Sequence, residues 1–203
     1  MKILAIGRNY VDHAKELNNA VPTKPVIFSK PDSALLKDNK PFYYPDFTND
    51  LHYEVEIVVK INKLGKNIDV KFANRYYDKI AIGIDFTARD LQNELKQKGL
   101  PWDLAKGFDS SAPISEFINI SEIKDLSNLN FSLDKNSETV QEGNTKDMIF
   151  SIDEIIAFVS KYFTLKIGDL IYTGTPKGVG PVVIGDKLVT KIEGKEMLSV
   201  EIK

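Results

Sequence analysis

Hydrophobic positions in this chain fall in short runs rich in Val and Ile, bounded by Pro, Gly, Asn or Asp. That is the pattern of strands rather than of long helices. It predicts strands over 2–6, 26–29, 51–61, 80–84, 170–173, 187–192 and 197–202, with short strands joined by Asn/Ser/Asp turns over 115–144. Spacing of three and four predicts a few short helices, over 8–17, 70–77 and 87–98, the last closed by Gly99-Leu100-Pro101. The best-marked helix start is Ser151. Ser151 and Glu154 have capping-box spacing, and Ile152, Ile155, Ile156 and Val159 supply an apolar stripe. Strands and helices do not alternate regularly, so the prediction is an α+β fold with a dominant mixed sheet, not a doubly wound one.

The run over 51–61, Leu-His-Tyr-Glu-Val-Glu-Ile-Val-Val-Lys-Ile, has the most consequence. Alternate side chains of a strand share a face, so Glu54, Glu56 and Val58 point one way and Val55, Ile57 and Val59 the other. Val58 makes both faces apolar, as in a buried strand. Two carboxylates sent into an interior cannot both stay ionised without a partner, and a hard divalent cation is an economical one. By itself, Glu-x-Glu reads more simply as two solvated glutamates on an edge strand.

Asp85 follows the strand over 80–84. Locally it reads as the N-cap of the next helix with Arg89 as its ion-pair partner; the alternative is a third carboxylate beside Glu54 and Glu56. Arg89 and Gln92 follow Asp85 at i+4 and i+7, on one helical face. His13 and Glu16 also share a face, and a carboxylate on one ring nitrogen leaves the other free as a general base. His52 is expected to pack or hydrogen-bond at its strand's entrance. Lys30 and Lys106 stand at loop edges, where each can pair with an anionic substrate. The loop from Gly174 to Gly180 matches neither a phosphate-binding P-loop nor a dinucleotide loop, because more strand follows it.

Composition narrows the picture. A chain of 203 residues is the size of one domain with a sizeable core. A net charge of −2 with dispersed lysines gives no electrostatic case for nucleic acid. No cysteine is present, which excludes disulfides and thiolate metal sites, and two histidines do not make a zinc cluster. No apolar window reaches the length of a membrane span, and the N-terminal run is too short for a signal peptide; the expectation is a soluble, cytoplasmic protein.

The order of the motifs carries more than any one of them. Gly7-Arg8-Asn9-Tyr10 with His13 and Glu16 comes first, then Phe28-Ser29-Lys30-Pro31, Glu54-Val55-Glu56, Gly83-Ile84-Asp85 through Gln92, and Lys106-Gly107-Phe108-Asp109. Gln141-Glu142-Gly143, Gly168-Asp169, Thr173 through Gly180 and Gly185-Asp186 close the series. In this order the chain resembles the fumarylacetoacetate hydrolase family over nearly its whole length. Lys98-Gly99-Leu100-Pro101-Trp102 looks most like the small acylpyruvase and oxaloacetate decarboxylase branch. The resemblance implies a strand-dominated mixed β-sandwich roll with few short helices. It implies one catalytic domain over 1–203, with 1–20 supplying a strand and a lid, and commonly a homodimer. It implies that Glu54, Glu56 and Asp85 hold Mg²⁺ or Mn²⁺. His13, Glu16 and Lys106 would be catalytic, with the His13/Glu16 dyad activating water. Arg8, Lys30, Arg89, Gln92 and Thr175 would bind a small 2-oxo acid, Thr175 at its carboxylate and Lys30 near its far end. The implied activity is cleavage of the C3–C4 bond of acylpyruvates or decarboxylation of oxaloacetate, with tautomerisation, isomerisation or hydration, or non-catalytic binding of a dicarboxylate, as alternatives. Two departures stand out: Ile84 and Phe86 flank Asp85 where the family often has Asn and Val, and Asn136-Ser137 replaces the usual Asn-Gly turn.

Overall fold

The strand expected over 51–61 is two strands, and the break falls at Glu54. In the computed structural model, which describes residues 1–17 and 20–203, Leu51–Tyr53 (β4) belongs to one sheet and Val55–Ile61 (β5) to another. The chain turns a corner here by switching sheets. The backbone at the corner stays satisfied: Glu54 C=O accepts from Asp85 N–H at 2.8 Å, and the Gln141 side chain accepts from Val55 N–H at 2.9 Å.

The larger sheet has the order β2 (Val26–Lys30), β1 (Ile3–Gly7), β12 (Leu170–Tyr172), β5, β6 (Tyr77–Ile84) and β9 (Ile118–Asn119). Only β1 and β12 run parallel within it, so the sheet is mixed, as predicted. A second, antiparallel sheet runs β11 (Glu138–Asn144), β10 (Asn130–Lys135), β14 (Lys187–Ile192) and β15 (Lys195–Glu201). Two small units complete the strands: β13 (Gly180–Pro181) with β4 and β7 (Thr87–Ala88), and the parallel pair β3 (Leu35–Leu36) and β8 (Ala112–Pro113). The helices are short: α1 (Val11–Glu16), α2 (Val70–Ala73), α3 (Arg89–Lys98), α4 (Asp103–Lys106) and α5 (Ile152–Val159). None of them is long and apolar enough to cross a membrane.

β5 is buried on both faces, as its sequence predicts. Val55, Ile57 and Val59 join the main core with Leu133, Leu188 and Leu198 of the second sheet, while Val58 joins a separate cluster with Ile3, Ala81 and Tyr172. Burial of this kind contributes about 25 cal/mol per Å² of apolar surface and is the main term holding the two sheets face to face.

Several boundaries move because tertiary pairing overrides local preference. The helix expected over 70–77 stops at Ala73, and Tyr77 begins β6 by pairing with Ile61. The helix expected from 87 starts at Arg89, because Thr87 and Ala88 pair with His52 and Leu51. Asp85 is therefore not a helix cap. The helix expected over 8–17 shortens to α1 because Arg8 has φ 61°, outside the right-handed helical region. The Ser151/Glu154 capping box forms as predicted, with Ser151 N–H donating to Glu154 Oε2 at 2.8 Å. Asn18 and Asn19, within the segment expected to form a lid, lie outside the described residues.

Candidate metal and substrate site

Register brings three carboxylates together. Glu56 of β5 lies opposite Gly83 of β6, and Val55 opposite Ile84, so Asp85 leaves β6 level with Glu54. Glu54, Glu56 and Asp85 each offer an oxygen within 4.8 Å of the others, and all three side chains are buried. Gly83 is needed for this approach, since a Cβ there would meet the Tyr172 ring at 2.7 Å and Pro113 C=O at 2.8 Å. Gly174, at φ 103°, donates its N–H to Glu56 Oε2 at 2.7 Å. The Gly-rich loop thus presents a backbone donor to a carboxylate of this chain.

Three buried cations answer the carboxylates unevenly. Arg89 Nη2 donates to Glu54 Oε1 at 2.6 Å, not to Asp85 as the local reading had it. Lys106 Nζ reaches Glu54 Oε2 at 2.9 Å, Asp85 Oδ2 at 2.6 Å and Thr87 Oγ1 at 2.6 Å. Lys30 Nζ lies 2.7 Å from Asp85 Oδ1 and donates to Ser111 C=O at 3.1 Å, Ser111 Oγ at 3.0 Å and the Lys106 carbonyl. Lys30 is thus held against Asp85 and the Ser111 and Lys106 carbonyls. Its reach from β2 was not readable from Phe28-Ser29-Lys30-Pro31.

The charge states follow. Burial raises the Glu54 carboxyl, but Lys106 and Arg89 outweigh it and hold the group well below the usual range. Among the described residues, Glu56 has one hydrogen bond and no ion pair; burial, then Asp85 and Glu54, push it well above the usual range. Burial opposes the charge on Lys106, yet Asp85 and Glu54 raise it, so the ammonium persists. For Lys30 burial wins and lowers the pKa despite Asp85. A divalent cation fits this donor set. The ligands are all carboxylate oxygens, and Glu56 is the carboxylate without a counter-charge.

Of the remaining predicted residues, all but Glu16 meet on one cavity of about 30 Å³, the room of roughly one water molecule. Arg8, His13, Arg89, Gln92, Lys106 and Thr175 line it with the three carboxylates. Thr175 Oγ1 accepts from Gln141 Nε2 at 2.9 Å, which leaves its own proton free to donate. His13 Nδ1 faces Glu16 Oε2 at 3.3 Å; burial lowers the imidazole pKa more than Glu54 raises it, so the ring is neutral at pH 7. Glu16 also accepts from Gly178 N–H at 3.0 Å, which ties α1 to the Gly-rich loop. His52 stays at its strand entrance, 2.9 Å from Asp50, as expected.

Sequence reasoning passed over Lys96, Phe28, Trp102 and Leu17 on the cavity wall, and Thr87 and Gln141 as hydrogen-bonding supports. Lys96 was within reach of it, since it repeats Arg89 at i+7. Gln141 was not, because only the register of β11 against β10 and the path of the Gly-rich loop bring it to Thr175.

The fold is a strand-dominated α+β roll with a buried three-carboxylate cradle that could hold a divalent metal ion. Residues 2–203 match the family model described as fumarylacetoacetate (FAA) hydrolase C-terminal, and the chain belongs to that family. It is 43% identical to human mitochondrial oxaloacetate tautomerase FAHD1 over 99% of this chain and 91% of that protein. It is 44% identical to mitochondrial oxaloacetate decarboxylase of Dictyostelium discoideum over 95% of this chain and 89% of that one. The crystal structure of fumarylpyruvate hydrolase from Pseudomonas aeruginosa in complex with Mn²⁺ and pyruvate superimposes with TM-score 0.95 at 34% identity, covering 100% of this chain and 89% of that one.

Proposed function

We propose that this chain is a divalent-metal enzyme for small 2-oxo acids, of the acylpyruvate hydrolase and oxaloacetate decarboxylase kind. The observation that carries the reading is the convergence of Glu54, Glu56 and Asp85, with Glu56 uncompensated. These three would hold Mg²⁺ or Mn²⁺; the Mn²⁺ and pyruvate in the Pseudomonas relative support the choice. The ion supplies Lewis-acid chemistry, drawing electron density from a 2-oxo acid so that its C3 can carry negative charge.

The chain's own residues do the rest. Thr175 donates its hydroxyl proton to the substrate carboxylate, and Gln92 and Lys106 face the bound acid. Neutral His13, oriented by Glu16, takes a proton from water at Nε2, and the hydroxide attacks the C4 carbonyl of an acylpyruvate; the C3–C4 bond then breaks, C4 departs as a carboxylic acid, and C3 keeps the electron pair and takes up the proton. Loss of CO₂ from oxaloacetate needs no such water. A second reading, keto–enol tautomerisation, is favoured by the human relative's name and by the need for only one acid/base group. The small cavity means that a keto acid enters only when α1 lifts, which is the lid role expected of the N-terminal segment. Replacing Glu56 with Ala should abolish Mn²⁺ binding by calorimetry and turnover of oxaloacetate and acetylpyruvate; full activity after chelator treatment would refute the site.

We further propose a homodimer. A groove of about 890 Å³ is lined by Met1, Phe47, Leu91, Leu104, Phe108 and Phe163, and Leu104 is 70% exposed. Exposed apolar side chains lining one groove suit a second copy of this chain. Sedimentation should give twice the chain mass, and Leu104→Glu should shift it towards monomer; a monomeric wild type sinks this reading.

A further inference from the structure

Four cations line the active cavity, and two of them have no counter-charge. Arg89 and Lys106 are bound to Glu54 and Asp85. Among the described residues, no carboxylate lies within 4.0 Å of Arg8 or Lys96. Both are half-buried. Burial first, then Arg89 and Arg8, lower the Lys96 ammonium to about 8, against the opposing pull of Glu54.

Lys96 lies away from the metal cradle. The inner face of α3 carries Arg89, Gln92 and Lys96 at i, i+3 and i+7, and seven residues of helix rise about 10 Å. Arg89 grips Glu54, so Lys96 stands two turns farther along the cavity. The opposite wall takes the same path. Lys106 Nζ is 5.0 Å from the Phe28 ring centroid, the Phe28 and Trp102 rings are 5.9 Å apart, and Lys96 Nζ is 5.7 Å from Trp102. Two aromatic rings therefore separate the carboxylate end from the Lys96 end.

Arg8 lines the same cavity and is held against its backbone preference. Its φ of 61° costs a non-glycine residue about 1 kcal/mol. The next residue fixes it: the Asn9 side chain accepts from Phe150 N–H at 2.8 Å and donates to Phe150 C=O at 3.0 Å and Thr173 C=O at 2.8 Å. Strain of this sort persists where surrounding structure over-determines it, and it concentrates at ligand sites.

We infer that Arg8 and Lys96 form a second anion subsite that selects 2-oxo acids carrying a carboxylate at the far end of the chain. This rests on the reading that the substrate's 2-oxo acid end sits at the three-carboxylate cradle. Phe28 and Trp102 flank the carbons between, and a neutral acyl tail leaves both cations unpaired in a site closed by α1.

Fumarylpyruvate and acetylpyruvate share the 1-carboxylate, the 2-oxo and the 4-oxo group, and only fumarylpyruvate carries a second carboxylate at the far end of its chain. In Lys96→Met the ratio of kcat/KM for fumarylpyruvate to that for acetylpyruvate should fall about tenfold or more, the effect of losing one charge-assisted hydrogen bond. Lys96→Arg should keep the ratio. Arg8→Gln repeats the test from the turn after β1, independently of α3. An unaltered ratio, or equal losses on both substrates, overturns the subsite. Calorimetry on the Mn²⁺-loaded protein with 2-oxoadipate and 2-oxohexanoate, which differ only in a terminal carboxylate against a methyl and have neither a 4-oxo group nor a β-carboxylate to lose, makes the comparison without turnover. A wild type that binds both acids and turns over neither substrate overturns the functional reading alone. A Lys96→Met protein that keeps the wild-type preference for 2-oxoadipate over 2-oxohexanoate overturns the subsite alone.

Discussion

At the scale of single residues, the site is a problem in placing charge. Three carboxylates at near-zero exposure are tolerable because Arg89, Lys106 and Lys30 each contact one or two of them, and because Glu56 takes a Gly174 N–H. A buried ion pair broken on one side costs about 3–5 kcal/mol, so this cluster stands or falls together. His13 is different: its role needs a neutral ring, and burial supplies that. Replacing His13 with Ala should slow acetylpyruvate cleavage by about 10²-fold or more, the usual contribution of a positioned base. Oxaloacetate decarboxylation in the same variant should fall much less. Matched losses in the two steady-state assays would remove His13 as the base towards water.

Among the elements, the hairpin β10–β11 shows how a local departure can be tolerated. Its two-residue loop, Asn136-Ser137, has φ 53° and 72°, both in the left-handed region. Such loops favour Asn-Gly because glycine meets no Cβ penalty there. Asn136 is anchored on both sides, accepting from Lys187 N–H at 2.9 Å and donating to Asp186 Oδ1 at 2.7 Å. Ser137 is exposed. Ser137→Gly should therefore stabilise the protein by about 0.5–1 kcal/mol, read as a higher urea midpoint at unchanged slope. A lower midpoint would show that the loop geometry costs serine nothing. The second departure is absorbed by packing: Phe86 is fully buried with its ring 4.3 Å from that of Phe42, and Ile84 is in the main core.

Across the whole molecule, contacts between distant segments decide stability. Asp169, just before β12, accepts from Lys2 N–H at 2.8 Å and Lys166 N–H at 2.7 Å and pairs with the Lys2 ammonium, so it fastens the start of β1 to its parallel partner. Burial raises its pKa, but these hydrogen bonds outweigh it and the group ends below the ordinary carboxylate range. A depressed native pKa gives stability that is present above the unfolded value of about 3.9 and fades as pH falls through the native one. Asp169→Asn should cost about 2 kcal/mol at pH 7, roughly 4–8 °C in Tm, and the gap to wild type should close below pH 4. A gap that persists undiminished at pH 3 would contradict this account.

The sequence by itself determined the periodic parts. Alternation over 55–61 made β5 buried on both faces, the Ser151/Glu154 pair started α5, and the ordered motifs named every carboxylate of the cradle. These are legible because strand and helix geometry fix which neighbours share a face within a few residues. Only the tertiary structure decided where the 51–61 run breaks, that Asp85 is no helix cap, and that Arg89 serves Glu54. It alone placed Lys30 behind Asp85 and left Arg8 and Lys96 without counter-charges. Those outcomes depend on the register between strands far apart in the chain, and side-chain periodicity within one strand carries no information about the register of its partner.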